Sequence, residues 1–99
     1  MLIDQYQEQA MRTSVQQSDH LQLLNAALGL GGESGEVIDL IKKYAFHGKE
    51  LDTVRIAEEL GDVLWYIALT CKAIGVPMSV VAQMNIDKLQ ARWPQGFKS

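Results

Sequence analysis

Residues 37–75 read VIDLIKKYAFHGKELDTVRIAEELGDVLWYIALTCKAIG, and the fold turns on this stretch. Apolar residues recur at helical spacing up to Phe46. His47-Gly48 then closes the segment, because glycine readily adopts the left-handed turn that ends a helix. Asp52 is a good N-cap residue, and a second helical pattern follows it as far as Ile74, where Gly75 breaks it. Two long helices joined by a short connection lie antiparallel by default. Working outward, the first of these helices extends back to give 21–46, and another precedes it over 3–13. A last one covers 77–92, with Pro77 in its first turn, where a missing N–H costs little. It ends before Trp93-Pro94-Gln95-Gly96. No stretch sustains the period-two alternation of β-branched residues that marks strands. The expectation is an all-α, antiparallel four-helix bundle forming one domain over 1–99.

A chain of 99 residues has room for one domain, which excludes a dinucleotide-binding fold made from two βαβ halves. A domain this small buries a limited share of its surface, so a homo-oligomer built from dimers is expected, either the dimer itself or a tetramer. Trp65 and Leu69, outside the main apolar stripe of their helix, are the expected subunit interface. The net charge is −3 and the nine basic residues are scattered, which argues against a nucleic-acid partner. No apolar run reaches the roughly 20 residues that span a bilayer, so no membrane partner is expected. Asp4 and Glu8 near the start do not fit a signal peptide, so a cytoplasmic location is expected. The single cysteine, Cys71, lies among apolar helical residues and reads as a buried thiol. His20 and His47 read as loop or cap residues.

The helix over 21–46 contains Gly29, Gly31, Gly32 and Gly35, each costing about 1 kcal/mol relative to Ala. The run lacks the Lys-Ser/Thr ending of a phosphate loop, and no strand precedes it. Small residues that admit another backbone or a ligand are the better reading.

Two acid pairs share the same spacing, Glu33-Ser34-Gly35-Glu36 and Glu59-Leu60-Gly61-Asp62, with 22 residues between Glu36 and Glu59. At about 100° per residue, Ala26, Leu30, Val37, Leu40, Ile41 and Tyr44 fall within roughly 80° of Glu33. Ile56, Val63, Tyr66, Ile67 and Ile74 fall in a similar sector around Glu59. Glu36 and Asp62 each sit about 60° to the same side of their partners. Antiparallel packing then brings four carboxylates together. Such a cluster is unfavourable alone, through like-charge repulsion and desolvation. A hard cation resolves the conflict, and carboxylates without His or Cys suit Mg²⁺, with Mn²⁺ as the substitute. The bland alternative is a pair of solvated helix faces.

These residues carry a resemblance. Leu28-Gly29-Leu30-Gly31-Gly32-Glu33-Ser34-Gly35-Glu36-Val37, followed by Glu58-Glu59-Leu60-Gly61-Asp62-Val63-Leu64-Trp65-Tyr66, resembles the MazG-type nucleotide pyrophosphohydrolases. Their signature is E-x-x-E, a spacer of this length, then E-x-x-D. Residues 85–97, NIDKLQARWPQGF, are similar to the family's N-x-x-K-L-x-x-R-(aromatic)-P-x-G-F ending. The resemblance covers about 21–97. It implies an all-α enzyme that splits (deoxy)nucleoside triphosphates into monophosphate and pyrophosphate, in the service of nucleotide-pool house-cleaning. It makes Glu33, Glu36, Glu59 and Asp62 the catalytic magnesium ligands, with Glu36 or Glu33 also able to accept a proton from water.

The expected substrate-binding residues are Lys43, Tyr66, Asn85, Lys88 and Arg92. Lys43 contacts phosphate or is a solvated lysine at a helix end. Tyr66, one turn beyond Asp62, lies near the base or packs in the core. Asn85 and Lys88 share a helix face, and the motif gives them a phosphate or ribose role, with Arg92 beside them. Two other classes compete. A non-catalytic helical interaction module has no need of four convergent acids. A carboxylate-bridged redox-metal protein needs Glu-x-x-His pairs, which this sequence lacks.

Overall fold

Ser18 opens the longest helix: its hydroxyl accepts a hydrogen bond from the Leu21 N–H at 3.3 Å, and Asp19 adds a favourable charge in the first turn. In the computed structural model, which describes residues 1–97, the order is α1 (Ile3–Met11), α2 (Asp19–Phe46), α3 (Thr53–Ile74), α4 (Met78–Arg92) and a 3-10 turn, Pro94–Phe97. Among the described residues there is no strand. The chain is all-α with four α-helices, as expected. No single described helix is long and apolar enough to cross a membrane.

The helix ends follow local chemistry. α1 stops at Met11, two residues short of the expected end. The Thr13 and Ser14 hydroxyls donate to the carbonyls of Ala10 and Met11, both at 2.7 Å, giving the backbone an alternative to another helical turn. α2 starts two residues earlier than expected, because Ser18-Asp19 supplies both cap and charge. Gly48 takes φ +66° just past its end. The Asp52 carboxylate accepts from the Arg55 N–H at 3.0 Å and caps α3. α3 ends in a Schellman turn. Gly75 at φ +71° donates to Lys72, and Val76 donates to Cys71 at 2.9 Å. Pro77 is the N-cap of α4 and stands one place before the expected first turn.

Packing is dominated by α2 against α3, with α1 laid on α3 and α4. Gly29 admits the ring of Tyr66, so close approach explains this glycine. Gly31, Gly32 and Gly35 face open space and admit no neighbour within the chain. Among the described residues, Ala26, Ala68, Leu69, Cys71 and Met78 are the buried apolar ones. Tyr6, Met11, Leu64 and Ile67 pack around Ala68, Cys71 and Met78. Burial pushes the Cys71 thiol up from its ordinary value.

Two expectations are corrected here. The surface of α3 assigned to a partner subunit is occupied inside the chain. Leu69 is 2% exposed, and the Trp65 indole donates to the Ala10 carbonyl and to Thr13 Oγ1. The sequence pattern showed a second apolar face but not that α1 would cover it. The apolar stripes also fade at their ends: Ile41, Tyr44 and Ile74 are about half exposed, since no third helix covers them. α4 leaves α3 at 101° and does not run back along α2. The Cα radius of gyration is therefore 16.1 Å, against about 13 Å for a close-packed chain of this length.

Candidate active site

Glu33 and Glu59 face each other because α2 and α3 are antiparallel and each presents one acid at the edge of its packed stripe. Asp62 follows Glu59 by one turn. One carboxylate oxygen from each of Glu33, Glu59 and Asp62 can lie within 4.8 Å of the other two. Glu33 and Glu59 are half-buried and Asp62 is exposed. Among the described residues, no Lys or Arg pairs with any of the three. The Glu33 carboxyl is pushed above its ordinary value, first by its hydrogen bond to Glu59, then by desolvation and by the charges of Asp62, Glu59 and Glu36. Carboxylates this close, with no internal cation, could hold a hard divalent ion.

Glu36 is exposed and lies outside the set of three. Its charge still reaches Glu33.

Glu33 and Asp62 share a cavity of about 330 Å³ with Trp65 and Tyr66. The two rings meet edge to face, centroids 5.0 Å apart at 83°. The acidic floor suits a cation, and the aromatic walls suit a flat ring.

The other expected binding residues are more dispersed. Lys43 pairs with Asp39 at 2.9 Å, and its hydrogen bond holds the Asp39 carboxyl below its usual range. It stands ten residues along α2 from Glu33, roughly 15 Å of helix rise. Asn85, Lys88 and Arg92 are exposed on α4 and do not line the acidic cavity within one chain.

Residues 21–97 match the model of the MazG nucleotide pyrophosphohydrolase domain. The chain belongs to the MazG family. The matched span contains both MazG acid pairs and the whole of α4, while α1 lies before it. The chain is also similar to the Gene 37 protein of Mycobacterium phage L5, 34% identical over 108 residues, covering 97% of this chain and 92% of that protein. No solved structure gives a significant match.

Two residues beside the MazG acids escaped sequence reasoning. Burial, with the charge of the nearby Asp62 carboxylate added to it, raises the phenol of Tyr6 on α1 above its ordinary value. Trp65 lines the cavity. Nothing in the spacing of α1 signals that Tyr6 returns to the site. For Trp65, the signal was its place beside Tyr66.

Proposed function

We propose that this MazG protein hydrolyses (deoxy)nucleoside triphosphates to the monophosphate and pyrophosphate, with Glu33, Glu59 and Asp62 holding Mg²⁺. The observation that carries this reading is the convergence of the three carboxylates without a cation of their own. When bound, Mg²⁺ supplies charge neutralisation for the triphosphate and lowers the pKa of the attacking water. The chain's own groups do the rest. Glu36, outside the set of three, takes the proton as water oxygen bonds to the α-phosphorus. The bond from that phosphorus to the bridging oxygen breaks, and pyrophosphate leaves. Trp65 and Tyr66 wall the space for the base, and Asn85, Lys88 and Arg92 contribute polar contacts to phosphate or ribose. Removal of unwanted nucleotides from the cytoplasmic pool is the matching role.

We also propose that the working form is a homo-oligomer. Leu24, Leu28, Ile38, Val80, Met84 and Trp93 are 43–79% exposed in this open chain. So much uncovered apolar surface favours association.

A panel of nucleoside triphosphates tests the activity, with monophosphate, pyrophosphate and orthophosphate resolved in Mg²⁺ and in chelator. The expected result is metal-dependent release of intact pyrophosphate from at least one substrate. Orthophosphate as the first product, or full turnover in chelator, rules the reading out.

A further inference from the structure

α4 starts without a cap of its own. Pro77 has no side-chain acceptor, and its ring has no N–H. The first N–H groups of α4 are met from α1 instead. Gln7 Oε1 accepts from the Met78 N–H at 2.9 Å. Asp4 Oδ1 accepts from the Ser79 N–H at 2.8 Å, and Asp4 Oδ2 accepts from the Ser79 hydroxyl. These are the groups a helix leaves unsatisfied at its start, and a carboxylate there is also favoured by the helix dipole. The Ser79 hydrogen bonds hold the Asp4 carboxyl below its ordinary range.

α4 has little else to fix its direction. Met78 is buried with Ala68 and Cys71. Beyond it, α4 packs on α1 and on the 3-10 turn and does not run along α2. α1 itself is fastened to α3. Trp65 donates to Ala10 and Thr13, and Lys72 Nζ donates to Ser14 Oγ at 3.1 Å. α1 thus touches the base of α4, through Asp4 and Gln7, and the surroundings of the acid site, through Tyr6 and through the hydrogen bond that Ala10 accepts from Trp65 of α3.

We infer that Asp4 and Gln7 are positioning residues: by capping α4 from α1, they set the direction in which α4 carries Asn85, Lys88 and Arg92. The inference rests on the proposed hydrolysis for its functional consequence. Asp4 and Gln7 lie outside the matched span, which begins at residue 21.

The test is Asp4→Ala beside Asp4→Asn, which keeps an acceptor for the Ser79 N–H. Kinetics with the best nucleoside triphosphate and amide hydrogen exchange over 78–92 are read together. Asp4→Ala is expected to raise KM at least threefold, leave kcat within twofold and speed exchange across the start of α4. Asp4→Asn is expected to restore both readings to near wild type. In a Lys88→Ala background, Asp4→Ala should raise KM less than twofold further, since it acts through what Lys88 does. Ser79→Ala weakens the same contact from the other side and serves if Asp4→Ala folds poorly. Wild-type KM and exchange in Asp4→Ala, or fully multiplicative effects with Lys88→Ala, overturn the inference. A wild-type protein that hydrolyses no nucleoside triphosphate defeats the proposed function. Exchange then decides the capping: faster in Asp4→Ala and restored in Asp4→Asn supports it, unchanged exchange overturns it.

Discussion

The ring of Tyr66 lies against Gly29, where any Cβ would collide with ring carbons. Alanine normally gains about 1 kcal/mol over glycine inside a helix. At Gly29 that gain is opposed by an overlap that has to push Tyr66 off α2, and overpacking typically costs about 1–3 kcal/mol. Gly29→Ala should therefore lower the melting temperature and disturb the cavity that Tyr66 lines. Gly31→Ala and Gly35→Ala meet open space within the chain and should raise it. Thermal unfolding of the three variants checks the contrast, and a stabilised Gly29→Ala would show that the ring yields freely.

The Glu33 carboxyl sits above its ordinary value because Glu59, Asp62 and Glu36 surround it. The sign follows from linkage. A carboxyl whose folded pKa is raised binds its proton more tightly in the folded state. Stability is then lost as pH rises through the unfolded value, and the loss is complete above the folded one. In chelator at neutral pH, Glu33→Gln should be at least as stable as wild type. Mg²⁺ should raise the wild-type melting temperature by binding the folded state, and should raise that of Glu33→Gln less. Melting curves at acidic and neutral pH, with and without Mg²⁺, measure this. A variant markedly less stable than wild type in chelator at neutral pH would falsify the repulsive cluster.

Trp65 fastens α1 to α3 by donating to Thr13 Oγ1 at 2.8 Å and to the Ala10 carbonyl at 3.2 Å. Trp65→Phe keeps most of the ring and loses the donor. Its cost should be about 0.5–1.5 kcal/mol. Thr13→Val removes one acceptor and should cost less, because the Ala10 carbonyl remains. The double variant should fall short of the sum of the two. Denaturant unfolding of the cycle checks the coupling, and additive effects mean that the indole bond does not hold α1 in solution.

Exposed Leu28, Met84 and Trp93 lead to an expected assembly of two or more copies. Light scattering at micromolar concentration should give at least twice the chain mass. A stable, active monomer contradicts the oligomer and leaves the acid site untouched.

The all-α class, α2 and α3, and the meeting of Glu33 with Glu59 and Asp62 were legible in the sequence. Each depends on local signals: the cap at Asp52, the turn at Gly48, and the common phase of two acid pairs. The placement of α1 was not legible. It depends on Trp65 finding Ala10 and Thr13, and on Asp4 finding Ser79, contacts that link residues more than fifty positions apart. The same gap misassigned Trp65 and Leu69 to a subunit interface. The direction of α4 was hidden for a related reason. Pro77 shows where a helix can start and says nothing about the 101° at which it leaves α3. Glu36 was grouped with the other acids by spacing, yet its offset along α2 leaves it outside the set of three.

Hydrolysis in ¹⁸O-labelled water tests the central claim most directly. The protein is incubated with Mg²⁺ and its best nucleoside triphosphate, and both products are examined by mass spectrometry after a single turnover. Attack at the α-phosphorus puts the labelled oxygen on the nucleoside monophosphate and leaves the pyrophosphate unlabelled, which is the expected result. Label in the pyrophosphate, with an unlabelled monophosphate, contradicts it.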